Sequence, residues 1–563
     1  MYSNISSYFL CSRVRGLATL AMPGLLLVAS GCSAPNLSAE ANVAAAAQAV
    51  TANGTWTKVT SVPACTSGGC QPGNIALLTD GRVLLSGPET SNQWFTLTPQ
   101  PVRNGVLDIP NEYRYGTWNS VGNSSWGRLF NPSFILQNGR YWNCGGEYST
   151  VGGSFNTSEC EVFNPATNTW VTVQSMPRLV NDTPAAILPN GGVLTLSWQD
   201  QNSYIFNPWT GAWGSAASYD SAAIQSEGGG VTLPDGSALF GLHKFSRYLP
   251  GTDTWVPTAN TQPALDALVS SNTSDEIGPF LFLETGPVGA AGSGKVLVLG
   301  ANSSNALYTP PTTLNGAGSW SVAAGTPADL SQPLILPRNH GDAPAAVEPG
   351  GNVFTIADTD PNGSGAEDPV FLEYQPSSDA WATIPYPTVN GVSVGVPGGL
   401  ADRVRLLVLP TGQILVSGWS DGSLWLYQAS GTPDSTWNPN ITNVAPPVFG
   451  QIRIDGTQLN GVSTGADLGD DGKLSTNFPL VALWDGSSFY SYVRTHGFST
   501  MGPNPGASGY FFINLAEASQ AVPNGFYFLD VRTNGLGLSG SGLPSLIVPK
   551  VDVGAAILAA IAG

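Results

Sequence analysis

Asp182, Glu227, Asp342 and Asp402 share one place in the sequence: each stands nine or ten residues ahead of the Gly of a tight turn, in "PNGG", "PDGS", "PGGN" and "PTGQ" respectively. Four carboxylates brought together from different parts of a chain can do three kinds of chemistry. They can surround a hard cation such as Ca²⁺, which takes about six to eight oxygens. They can accept the hydroxyls of a sugar whose ring lies on an aromatic face. As a pair they can serve as acid and base on a glycosidic bond, with an outcome set by the separation of the two carboxyls. Arg403 follows Asp402, and Trp126 and Arg128 stand slightly earlier in their own segment, adding a guanidinium pair and a stacking face. His340 completes the candidate set. It lies in "LPRNHGDAPAAVEPGGNVFTI" (336–356), a second print of "MPRLVNDTPAAILPNGGVLTL" (176–196), in which Asp342 matches Asp182 but His340 has Val180 as its counterpart. The bland alternative is that residues ahead of a strand are polar in any protein, and that Asp there caps the N–H groups of a turn.

Whatever positions these residues is repetitive. A turn followed by Trp recurs at Trp56, Trp118, Trp170, Trp213, Trp255, Trp320, Trp381 and Trp437. Strictly alternating with it is a Gly turn and an apolar strand: "TDGRVLLSG" (79–87), "QNGRYWNCGG" (137–146), "PNGGVLTLS" (189–197), "PDGSALFG" (234–241), "GSGKVLVLG" (292–300), "PGGNVFTIA" (349–357) and "PTGQILVSG" (410–418). Asn-Gly and Asp-Gly supply the positive φ of a tight hairpin, and the apolar runs around them are short strands buried on both faces. One such unit cannot bury its faces alone, so copies pack in a ring and a Trp near each outer strand fills the space where the blades diverge. The shortest Trp-to-Trp spacing, 42 residues from Trp213 to Trp255, is about one four-stranded blade. Seven blades need seven outer strands, so either the Trp56 or the Trp437 segment closes the ring. Past residue 445 the pattern stops, and segments such as "FPLVALW" and "GFYFLDVRT" suit a β-sandwich. The nine or ten residues before each Gly then place the candidate set at the start of the inner strands, on the mouth of the ring.

Bulk composition agrees. Of 563 residues, 10% are charged and 42% hydrophobic, with 68 Gly and 44 Pro, the balance of a turn-rich all-β protein. A net charge of −18 without a basic cluster excludes a nucleic-acid partner, and suits an exported protein kept soluble by its charge. Arg13 and Arg15 ahead of an apolar run to Ala29, then "SGC", read as a bacterial lipoprotein signal over residues 1–32 with lipidation at Cys32, or as an ordinary secretory signal. Residues 33–53 are an Ala-rich tether, and the apolar tail 551–563 is too short to span a membrane. Contact with a membrane is thus expected only through the lipid anchor. Cys65, Cys70, Cys144 and Cys160 remain, an even count that suggests two disulfides; Cys65–Cys70 and Cys144–Cys160 close the shortest loops. Nucleophile elbow, P-loop and HExxH motifs are absent, and "GADLGDDGKLSTN" (465–477) lacks the spacing of an EF-hand and reads as a polar sandwich loop.

The units "TNTWVTVQSMPR…AAILPNGGVLTL" resemble kelch repeats, and seven of them ahead of a sandwich resemble the galactose oxidase and glyoxal oxidase family over residues 54–550. The resemblance implies a seven-bladed kelch-type β-propeller (54–445) followed by an Ig-like (E-set-like) β-sandwich (446–550). It also implies oxidation of alcohols or aldehydes at one copper held by two Tyr, two His and a Cys crosslinked to one Tyr. At the matching positions this sequence has Asp402 and Arg403 for a Tyr-His pair, a residue near Asp182 for the crosslinked Tyr, one near Asn131 for the Cys and one near Met501 for a His. Cys144 lies one strand away from its expected place and His496 five residues from Met501, and the chain holds just His243, His340 and His496. The resemblance therefore carries the fold without the copper centre. The expectation is a monomeric, non-catalytic, exported protein whose acidic mouth takes a glycan or another cell-surface polymer, with calcium as a candidate cofactor. The alternatives are a divergent copper oxidase and a carboxylate-dependent glycan-active enzyme.

Overall fold

In a computed structural model of the chain, the described residues are 50–63, 72–88, 91–148, 157–179, 183–197, 202–219, 227–259, 268, 277–290, 292–328, 338–359, 369–395, 401–469, 476–518, 520–523, 525–537 and 551–552. The signal segment with Cys32, most of the tether, the Cys65–Cys70 pair, Asp182 and residues 553–563 lie outside them. The chain divides between Gln48 and Ala49, and everything described here belongs to the second unit.

That unit is all-β, a seven-bladed propeller followed by a β-sandwich. Each blade is a four-stranded antiparallel sheet. Its inner strand is one of Ile75–Leu77, Ser133–Ile135, Ala185–Ile187, Gly229–Thr232, Phe280–Glu284, Pro344–Val347 and Arg405–Val408, numbered here blades 1 to 7. All seven inner strands are buried along their whole length. The last blade takes its outer strand from the start of the chain, where Thr55–Lys58 pairs with Trp425–Gln428. Trp437 instead sits in a short 3-10 turn, Ser435–Trp437.

The recurring Trp has a shared role. Trp56, Trp118, Trp213, Trp255 and Trp381 each donate the indole N–H to a backbone carbonyl just past the outer strand of the preceding blade, at Pro385, Ser61, Gln174, Ala217 and Ala324. Trp320 reaches the hydroxyl of Thr258 at the corresponding place. Each indole thus fills the widening gap between blades and satisfies a polar group there.

Three boundaries shift from the sequence expectation because backbone ladders extend past them. Val50–Thr51 adds in parallel to Ala380–Ile384 of blade 6, so the tether ends before residue 50. Asn440–Val444 pairs with Gln451–Thr457, so the C-terminal domain starts at 440. Val551–Asp552 pairs with Phe526–Arg532, so only residues beyond 552 remain for the tail. In that domain seven strands follow the order Asn440–Val444, Gln451–Thr457, Ser508–Ala518, Tyr490–His496, Leu480–Trp484, Phe526–Arg532, Val551–Asp552. The ladder loses register between Val493 and Thr495, the irregularity by which a sheet turns into a second layer.

The sandwich covers the hairpin-turn end of the ring. A Cβ on Gly81 (φ 80°) would lie 2.6 Å from the Tyr492 ring, and one on Gly139 (φ 74°) would lie 2.5 Å from the Thr495 carbonyl. Glycine is therefore needed at both turns twice over, for backbone conformation and for the approach of the second domain. The segment that enters the ring is 458–469. Ala466–Leu468 adds to the inner edge of blade 6, Thr464 exchanges hydrogen bonds with Phe282, and the Asp467 carboxylate accepts from the Phe280 N–H (3.2 Å). Residues 464–469 are accordingly the plug of the channel, where the sequence reads 465–477 as a polar sandwich loop. The stretch around Met501 lies at the turn end of the channel, where Met501 N–H donates to Pro189 (3.1 Å) and a Cβ on Gly502 would lie 2.7 Å from Thr232 of the blade 4 inner strand. Among the described residues no helix is long and apolar enough to cross a membrane.

Candidate functional site

The mouth is built by the loops that feed the inner strands, and its described part is best formed where blades 7, 1 and 2 meet. The stretch 401–405 makes a 3-10 turn, Ala401–Arg403, before the inner strand of blade 7. Val404 N–H donates to the Ala401 carbonyl (3.1 Å), and Ala401 N–H to the Asp358 carboxylate (3.1 Å). Arg405 is buried and acts as a brace, donating to the carbonyls of Gly73 (2.9 Å), Val404 (2.8 Å) and Asp402. Held this way, the Asp402 carboxylate lies 3.5 Å from Arg403 Nε, with the Arg403 side chain one-third exposed. A small cleft joins this pair to Pro72 and Gly73 of blade 1 and to Leu129 and Phe130 of blade 2.

Blade 2 supplies the aromatic side. Phe130 has a positive φ of 47°, and its ring meets that of Tyr148 edge-on at 6.0 Å. Tyr148 is exposed (42%), and Glu147 N–H holds its loop to the Phe130 carbonyl (3.2 Å). Trp126 is half-buried above the Arg128 guanidinium, 5.7 Å from ring centre to Cζ. Arg128 itself is fully buried: it donates to Glu161 (3.0 Å), Gly145 (2.9 Å) and Glu159 (2.7 Å), and the Ser125 N–H takes the other Glu161 oxygen (2.7 Å). It holds the loop in place, and burial removes it from direct contact with a ligand.

His340 is likewise removed. It is fully buried, within reach of the Thr326 hydroxyl (3.0 Å) and the Ile356 carbonyl (3.1 Å), and stacked on Trp381 at 5.5 Å. Burial pulls its pKa down to about 4, so it is a neutral core residue between blades 5 and 6. Asp342 is half-buried with φ 51°, where a Cβ on Gly469 of the plug would lie 2.9 Å from its Cα. Glu227 is half-buried just before the inner strand of blade 4. Among the described residues no three His, Cys, Asp or Glu side chains come together as metal ligands, so Glu227, Asp342 and Asp402 do not form a shared cation site by themselves.

Among the described residues, those at positions matched to copper ligands make other contacts. The Asn131 amide is spent on Asn143, the Pro132 carbonyl and Asn74. Met501 is buried at the opposite end of the ring, and His496 stacks on Phe512 within the sandwich at 6.2 Å.

Phe130, Tyr148 and Arg405 were missing from the sequence-derived set. "RLF" and "DRVR" put Phe130 and Arg405 two residues beyond members of that set, which is the available signal. Cys144 and Cys160 face each other on adjacent strands of blade 2 and form a disulfide at the base of the Tyr148 loop.

No protein-family model matches the sequence, and no curated protein does. Among solved structures the chain is similar to a fungal alcohol oxidase of the AA5 family in complex with copper, with a TM-score of 0.46 and 12% identity over 89% of this chain and 99% of that one. It is also similar to a streptogramin B lyase, with a TM-score of 0.42 and 9% identity over 67% of this chain and 98% of that one. Likenesses of this size carry nothing about activity, and the propeller assignment rests on the seven hydrogen-bonded sheets themselves.

Proposed function

We propose that the protein is an exported, lipid-anchored binding module that takes a glycan or related cell-surface polymer at the mouth of the propeller without transforming it. The observation that carries this reading is the grouping of the Asp402–Arg403 pair with Phe130 around a shallow notch, across which a ligand would lie rather than be enclosed. A carboxylate accepts sugar hydroxyls, a guanidinium donates to ring and hydroxyl oxygens, and the Phe130, Tyr148 and Trp126 rings offer faces to the apolar side of a sugar. The braced 3-10 turn and the buried Arg128 hold these groups ready, which limits the ordering cost of binding. The Asp402 carboxylate is paired with the Arg403 guanidinium, a partner suited to recognition of hydroxyls.

The test is a glycan array probed with the full chain, followed by calorimetry on the best ligand. Asp402→Asn and Phe130→Ala should each weaken binding about tenfold, equivalent to about 1.4 kcal/mol, while the thermal midpoint of Asp402→Asn stays put. A chain that binds no glycan, or that shortens the glycan it binds, would refute the reading.

A further inference from the structure

The connection between the third and fourth strands of blade 1 runs from 99 to 116, whereas blades 2, 3, 4 and 6 make the same connection at 165–168, 208–211, 250–253 and 376–379. The extra chain forms a small hairpin, Val102–Arg103 with Val106–Leu107, and a 3-10 turn, Ile109–Asn111. Its inner side docks the sandwich: Tyr492 donates to the buried Glu112 carboxyl (2.8 Å), and Tyr113 donates to the Gly81 carbonyl (2.6 Å).

Its outer side does something docking does not need. The Arg103 guanidinium carbon lies 3.4 Å from the centre of the Tyr115 ring, and that of Arg114 lies 4.9 Å from the same centre. Two cations thus share one tyrosine, and neither side chain is ion-paired or hydrogen-bonded to a described residue; the Arg114 Nε is buried and unpartnered. Asp108, the acid nearest Arg103 in sequence, accepts from Asn111 (3.0 Å), and Glu112, two residues before Arg114, is buried and accepts from Tyr492. Several other arginines are paired with carboxylates, as in Arg82 with Asp80, Arg247 with Asp235 and Arg532 with Asp530. With 38 acidic and 20 basic residues available, a neutralising carboxylate would be easy to supply here. Stacking fixes a guanidinium through its face and leaves its in-plane N–H groups pointing outward, the geometry that grips a tetrahedral oxyanion.

We infer that Arg103, Tyr115 and Arg114 form a binding site for a phosphate or sulfate group, on the side of blade 1 and independent of the mouth. The anion is either a free oxyanion or the phosphate of a lipid headgroup, since the chemistry recognised is the same. The full chain is titrated with inorganic phosphate and sulfate at constant ionic strength, and sedimented with phosphatidylglycerol and with phosphatidylcholine vesicles.

Saturable binding of an oxyanion, or preferential sedimentation with phosphatidylglycerol, supports the site if Arg103→Ala and Arg114→Ala each weaken it at least tenfold and Arg103→Lys weakens it less. Binding of the free ion alone assigns a soluble ligand, and binding of vesicles alone assigns a headgroup. Arg103 is exposed, so its variants keep the fold, and the thermal midpoint verifies this. Absence of both kinds of binding overturns the inference, and so does binding that the alanine variants leave unchanged.

Discussion

Trp56 donates its indole N–H to the carbonyl of Pro385, 329 residues away along the chain, at 2.7 Å. This bond is the ring closure seen at one atom pair: the first strand of the propeller is locked to the exit of blade 6. The same ring lies 4.9 Å from Tyr427 and 5.4 Å from Phe371. Trp56→Phe should keep most of the packing and lose the bond, costing about 1 kcal/mol. Trp56→Ala should cost about 3 kcal/mol, toward the low end for Trp because the side chain is half-buried. Denaturant midpoints of the two variants check the order. Equal destabilisation would show that the indole N–H contributes nothing to closure.

This closure also marks how far the sequence could be read. Every blade meets the same problem, so turn glycines and gap-filling Trp recur, and seven sheets follow from counting them. Which terminal Trp completes the ring depends on reach to Pro385, which no local pattern encodes. The plug was hidden for a related reason: Ala466–Leu468 joins blade 6 through backbone groups, and "GADLG" reads like any polar loop. Alignment on the Gly turns locates candidate residues just ahead of the inner strands and says nothing of side-chain direction. Arg128 turns inward because Glu161 lies across the blade, and His340 because Thr326 and Ile356 enclose it. Arg403 keeps a one-third exposed side chain at the mouth, whereas Asp402 beside it is largely buried and Arg405 fully so.

Docking of the sandwich should depend on pH through Glu112. Burial pushes its carboxyl up to about 7, against the opposing pull of Arg532 and the hydrogen bond from Tyr492, with Asp530 adding a smaller upward push; Tyr113 is its other buried ionisable neighbour. The folded state therefore holds a proton that the unfolded state releases near the ordinary value of 4.5. Stability from this group is complete below about pH 4.5, falls as pH rises and is lost by about pH 7, a change on the order of 3 kcal/mol. Glu112→Gln, a neutral isostere, should remove that slope. Urea unfolding from pH 5 to 8 measures it, and identical slopes in the variant and the parent would refute the assignment.

The Cys144–Cys160 disulfide closes a loop with a sequence separation of 16 and ties the two strands from which the Tyr148 loop springs. Removing both sulfurs, as Cys144→Ala with Cys160→Ala, should cost about 3 kcal/mol by loop entropy. The strand ladder on both sides persists, so the blade itself should survive. Ligand affinity at the mouth should fall with stability, because Tyr148 loses its base. A stable double variant with unchanged affinity would separate the disulfide from the site.

Arg128 and Glu161 form an ion pair at 3.0 Å with both side chains about 1% exposed. Burial favours the neutral form of Arg128, lowering its pKa, and Glu161 opposes that. Breaking such a pair from one side strands a buried charge and costs about 3–5 kcal/mol, whereas replacing both partners with apolar groups can be nearly neutral. Glu161→Gln should therefore destabilise strongly, while Arg128→Met with Glu161→Leu should recover most of the loss. The two routes differ at the mouth, because Glu161 also holds the Ser125 N–H at 2.7 Å and Arg128 lies under Trp126. The apolar double variant should fold yet leave Trp126 free to turn, so that glycan affinity drops although stability returns. Measuring the two quantities on the same variant separates support of the loop from support of the fold, and unchanged affinity in the double variant would mean that Trp126 is positioned by something else.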